Sequence, residues 1–166
     1  MNVDYIQMLH NYHYDRYRQL WECIMHLTDE QFVQAIDYSI GSVRNHMLHL
    51  VEGHARWFAR IQGQPLPDYS DPEGFSTRES MRSLWDSAET EVMRYIEGLN
   101  EEELARSVSY DMPHRGGAHA NTVWQILVHL INHGTDHRSQ ILRLLYDFGA
   151  PTMEHDLMLY LWDRES

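Results

Sequence analysis

Apolar residues recur at helical spacing along most of the chain, and polar or Gly/Pro punctuation divides them into four long runs. The first run extends from Val3 to Leu27, with Leu9, Leu20, Ile24 and Leu27 as its stripe. "LTDEQF" then restarts a short helical turn, because Thr28 and Gln31 have the spacing of a capping box. A second long helix begins in "YSIGSVRNHM", capped by Ser39 or Ser42, and ends near Ile61. Its main stripe is Val43, Met47, Leu50, Trp57 and Ile61. "GQPLPDYSDPEG" reads as a loop, since each Pro removes a helical donor and pushes the residue before it out of helical geometry.

The third helix opens at "STRES", where Ser76 and Glu79 again have capping-box spacing, and runs to Gly98. Asn100 to Arg106 makes another short turn. "SVSYDMPHRGGAHAN" is strand-like or irregular, with a Gly-Gly pair expected to be mobile. The fourth helix starts behind Asn121 and carries Val123, Leu127, Leu130, Ile141 and Leu144. It continues to about Asp147, where "FGAP" stops it. The tail, "TMEHDLMLYLWDRES", keeps helical spacing and is expected to dock on the rest. Four long helices without convincing alternating strands predict an all-α four-helix bundle, with short extra turns and one excursion before the last long helix. The 166 residues, 43% hydrophobic, suffice for one domain over 1–166 with a single sizeable core.

Charge narrows the partners. A formal net charge of -12 with no cluster of cations argues against nucleic acid and against an anionic membrane surface. The N-terminal stretch lacks the apolar run of a signal peptide or a membrane span, so a cytoplasmic location is expected. A lone Cys23 fits that compartment and reads as a small buried hydrophobe on the first helix rather than a reactive thiol.

Twelve histidines change the picture, because of where they sit. His129, His133 and His137 recur every four residues along the fourth helix. Side chains four apart stack one turn up, so His133 and His137 can converge on one point, as a divalent cation asks of two nitrogen ligands. His129 and His137 are separated by about 12 Å of helix rise, so the three can hardly share one ion. A third ligand would come from the second helix, which holds His46, His49 and His54. His54 falls on the apolar stripe. His49 lies to one side, in line with Ser42, His46, Gly53 and Arg60, a strip that either lines a cavity between helices or is plain surface, which periodicity alone slightly favours. "HGTDH" has Gly134 where an HExxH zinc protease needs its Glu base, and paired Glu-x-x-His units of a di-iron bundle are absent. On spacing alone, a metal site and histidine packing stay open.

"SIGSVRNHMLHLVEGHARWFARI" and "TVWQILVHLINHGTDHRSQILRLLYDFGAP", in that order and with "LTDEQF" before them, resemble the DinB-like family, also called the YfiT-like metal-dependent hydrolases. The resemblance covers most of the chain; the first helix matches loosely. It implies a four-helix bundle, often a homodimer, with one divalent ion (Zn, Ni or Fe) held by His49, His133 and His137. His46, His54 and His129 match no ligand position and are expected to pack, with His46 and His129 bordering the site. Ser139 departs from the Gly found in many members. The family implies either thiol S-transfer, through a metal-bound thiolate of a low-molecular-weight thiol such as bacillithiol, mycothiol or glutathione, or hydrolysis through metal-bound hydroxide. A small-molecule substrate would enter near the Gly116-Gly117 loop. The alternative is a non-catalytic binding or stress-response module in which the metal clamps two helices.

Overall fold

A computed structural model describes residues 2–165. Four long helices form the bundle: α1 (Val3–Ile24), α3 (Val43–Gln62), α4 (Arg78–Glu97) and α6 (Val123–Asp147). Short helices α2 (Asp29–Val33), α5 (Glu101–Ala105) and α7 (Leu157–Glu165) lie between and after them. The strand-like excursion is a two-stranded antiparallel hairpin, β1 (Ser107–Met112) and β2 (Gly117–Thr122). No helix among the described residues is long and apolar enough to cross a membrane.

Local chemistry sets the element ends. Thr28 and Gln31 form the expected capping box at α2. Of the two candidate caps for α3, Ser42 is the one used: its side chain accepts from the Asn45 N–H. Two expectations are corrected. α1 stops at Ile24 rather than Leu27, the next residues closing in a tighter turn through the His26 N–H to the Cys23 carbonyl. α4 is capped by Thr77, accepting from the Ser80 N–H, and not by Ser76 with Glu79. The hairpin turns tightly because Gly116 and Gly117 both take positive φ, which a side chain resists.

Each long helix packs on two neighbours: α1 on α4 and α6, α3 on α4 and α6. The pairs α1 with α3 and α4 with α6 therefore sit across the diagonal, and the histidine-bearing α3 and α6 face each other directly. The buried core between them includes Trp21, Leu20, Met47, Leu50, Trp85 and Leu127, with Tyr17 stacked on Trp85 at 4.6 Å. Cys23 is buried, as expected, and burial pushes its thiol up, away from thiolate chemistry. The tail docks on α1 and α6: Tyr160 is buried against Tyr12, and the fully buried Arg138 donates to His155 and to the Tyr12 hydroxyl.

At Gly134 the His13 ring of α1 sits directly against α6. A Cβ added there would lie 2.2 Å from Cε1 of His13, whose ring is buried among Tyr14, Tyr17 and His54. The Tyr17 hydroxyl also donates to the Gly134 carbonyl at 2.6 Å, so the helices cannot easily separate. In an open helix Gly134→Ala would gain about 1 kcal/mol from propensity. Here overpacking opposes it, and a contact this short puts the cost at the upper end of about 1–3 kcal/mol. Chemical denaturation should show Gly134→Ala destabilised by about 2 kcal/mol. In a His13→Ala background the same change should cost far less; equal costs in both backgrounds would mean that the His13 contact does not govern this position.

Candidate metal centre

The helical repeat of α6 stacks His133 and His137 on the side facing α3, and α3 presents His49 opposite them. Nε2 of His133 lies 3.2 Å from Nε2 of His49 and 3.2 Å from Nε2 of His137. One ring nitrogen from each of the three falls within 4.8 Å of the others, the group of this kind found among the described residues. Nitrogens bound at about 2.0–2.1 Å to a tetrahedral ion stand about 3.3–3.4 Å apart, so the 3.2 Å separations fit one divalent cation. The three histidines could hold a metal ion between α3 and α6.

Burial governs their protonation. It pushes His133 and His137 down to about 4, with neighbouring histidines adding to the shift, and lowers His49 as well. All three are therefore neutral at pH 7 and offer lone pairs rather than protons. Three neutral imidazoles would leave both positive charges of an ion uncompensated, which favours an anion at a remaining position.

The surrounding histidines divide as their contacts dictate. Nδ1 of His46 lies 2.8 Å from Nδ1 of His137. With His137 Nε2 bound to an ion, the proton of the neutral ring would sit on Nδ1 and donate to His46, which would fix the ring as ligand supports commonly do. His46 itself is pushed down to about 4 by burial and so accepts as a neutral ring. The plain-surface alternative for the strip on α3 is thus corrected: Ser42 and His46 are buried, the His46 ring lying against His137 of α6. His129 lies outside the triad, edge-on to Trp57 at 5.3 Å and 5.7 Å from the His133 ring, where it lines the approach. His54 is buried on the apolar stripe beside His13 and Tyr14.

A cavity of about 670 Å³ opens onto His49 and His133 of the triad. His49, His129 and His133 form its floor, Trp57 and Ile126 one side, and Tyr110, Met112 and Arg115 of the hairpin another. A second hollow of about 370 Å³ shares His49, Trp57, His129 and His133 and reaches Arg56, Arg60 and Tyr69. Hairpin residues thus line both hollows beside the histidines, while Gly116 and Gly117 line neither. Sequence reasoning missed two features. His10 and His13 of α1 lie buried behind α6; their i, i+3 spacing on one helix is the signal available for them. Arg56 carries no such signal, since arginines on a helix ordinarily mark a solvated face, whereas Arg60 was legible only as a member of the strip beside His49.

The sequence profile of the DinB family matches residues 1–165. The chain belongs to the DinB family. Protein DinB of Bacillus subtilis (strain 168) is 25% identical over 169 residues, which cover 96% of this chain and 95% of the relative. A DinB-like protein from Bacillus cereus ATCC 10987, solved by crystallography, superposes with a TM-score of 0.69 at 17% identity, over 87% of this chain and 91% of the other, and shares the fold. In this DinB-family chain the long-helix bundle expected from sequence therefore agrees with the geometry and with the fold of that neighbour.

Proposed function

We propose that His49, His133 and His137 are the ligands of one divalent ion, and that the protein is a metal-dependent enzyme transferring a low-molecular-weight thiol onto a small electrophile. The observation that carries this reading is a set of three protein ligands of which two, His49 and His133, line an open cavity, since catalytic sites keep a position free whereas structural sites close it with a fourth side chain. When bound, the ion would supply a Lewis acid that lowers the pKa of a coordinated thiol. S-transfer joins the thiolate sulfur to an electrophilic carbon, whose leaving group departs with its bonding electrons.

The chain's own residues supply the rest. Neutral His49, His133 and His137 orient the ion, His46 holds the His137 ring, and Trp57, Tyr110, Met112 and Ile126 give an organic electrophile an apolar wall that excludes water. No carboxylate lines the larger cavity, so no Asp or Glu there stands ready as a base. A free thiol, with a pKa of about 8.5, needs less help than water at about 15.7, and this favours S-transfer over hydrolysis.

The test is a panel of small thiols and electrophiles offered to zinc- or nickel-loaded protein, with loss of free thiol followed over time. Conjugation that stops on chelation and resumes on metal addition supports the reading. Metal-dependent ester or amide cleavage without thiol would replace it with a hydrolase. Metal binding without turnover of any substrate would leave a structural clamp between α3 and α6.

A further inference from the structure

Resting on that reading of the site, we infer that the substrate is an acidic small molecule whose carboxylate or phosphate oxygens are taken by the Arg60 guanidinium, with Arg56 beside it.

The chain has 25 acidic residues against 13 arginines and no lysine, so cations are scarce and acids abundant. Among the described residues, seven arginines are ion-paired to Asp or Glu. Arg56 and Arg60, which line the hollow shared with His49 and His133, are not, and neither is Arg115 on the wall of the larger cavity. Asp111 lines the same hollow and lies beyond ion-pair distance of all three. Arg94 and Arg138, away from these hollows, show no ion pair among the described residues either, so what sets the site apart is that three unpaired cations gather around two adjoining hollows in a protein of net charge -12, and an anionic ligand accounts for that grouping.

The side chain is also prepared for that ligand. The Arg60 guanidinium lies over Trp57 at 4.8 Å and near the Tyr110 ring at 5.6 Å, and it donates one N–H to the Arg56 carbonyl. Its Nε is buried without a hydrogen-bond partner. Arg56 is held in turn, over the Tyr69 ring at 4.4 Å and by a hydrogen bond to the Pro67 carbonyl. Two guanidiniums fixed by stacking, with N–H groups to spare, are pre-organised for a planar or tetrahedral oxyanion, and little rotamer freedom remains to be lost on binding. Burial and the nearby Arg56 charge both weaken the Arg60 cation, a cost that an incoming anion relieves. Seated there, the acid end of a substrate would leave its other end toward His49 and His133, which share the hollow.

The experiment uses cobalt-loaded protein and two thiols, mercaptosuccinate as the acid and thioglycerol as the neutral control, with binding read from sulfur-to-cobalt charge-transfer absorption. Wild-type protein should bind the acid about tenfold or more tightly than the control, and Arg60→Gln should bring the two affinities within about twofold, with partial recovery in Arg60→Lys. Equal affinities in the wild type, or an equal loss for both thiols in Arg60→Gln, would overturn the inference. Failure to bind cobalt, or no charge-transfer band with either thiol, would count against the proposed function instead. The acid site is then judged on metal-free protein by calorimetric titration with succinate and with glycerol phosphate. Binding of either that falls about tenfold in Arg60→Gln supports it and says which oxyanion is preferred, and no binding, or binding indifferent to Arg60, overturns it.

Discussion

Metal-free protein is expected to lose stability steeply as the pH falls from 7 to 5, before most carboxylates titrate. The cause lies behind the candidate metal centre, where His10 and His54 are buried and their pKa values are pushed down to about 3, mainly by desolvation. His13 between them is lowered in the same direction, by burial first and then by the charges of His54, Arg138 and His10. In the unfolded chain a histidine titrates at about 6.5, so below that value the unfolded state takes up protons that the folded state refuses. The stabilisation is therefore whole above pH 6.5 and shrinks continuously until the folded-state values near 3 are reached. At pH 5 each such histidine costs about 2 kcal/mol, so His10 and His54 alone cost about 4 kcal/mol against a total stability of about 5–15 kcal/mol. Denaturant melts at pH 7.5, 6 and 5 measure this directly, and His54→Leu should flatten the slope. A stability unchanged between pH 7.5 and 5 would mean that these rings are hydrated and titrate normally.

Saturating zinc should raise the melting temperature of the wild-type protein, and His133→Ala and His137→Ala should abolish that response. An ion at about 100 times its dissociation constant adds about 2.7 kcal/mol to the folded state. For a chain of this length that corresponds to about 5–10 °C. The neighbouring histidines provide the contrast. His46→Ala removes the partner of His137 Nδ1 and should weaken metal affinity about 10–100-fold without abolishing binding. His129→Ala should keep the full thermal shift, because that ring stands on the cavity wall rather than in the triad. A wild-type response retained in His133→Ala would exclude this residue as a ligand.

The long helices were legible in sequence because their information is local: apolar residues at helical spacing, and caps such as Thr28 and Ser42 that need only their own N–H neighbours. The errors are also local. Thr77 and Ser76 are adjacent hydroxyls, and spacing alone does not decide which of them turns back on the helix. At the site, convergence of His133 with His137 follows from one helix turn, whereas the placement of His49 opposite them depends on α3 lying against α6. Spacing left that open, and the family resemblance supplied it. The burial of His46 depends on the same packing, so periodicity favoured the wrong side of its strip. Gly134, noticed in sequence as a missing glutamate, turns out to be the space that His13 occupies. Arg60 was legible only as a member of the strip beside His49, because its distinguishing features, a ring beneath it and a buried Nε without a partner, arise from α3 and the hairpin together.

X-ray absorption at the zinc edge of zinc-loaded protein tests most directly whether His49, His133 and His137 hold one ion. The predicted first shell is three imidazole nitrogens at about 2.0–2.1 Å with one further light atom, and one of the three imidazoles should be lost in His49→Ala. A shell dominated by carboxylate oxygen, or one that is the same in wild type and His49→Ala, would contradict the assignment.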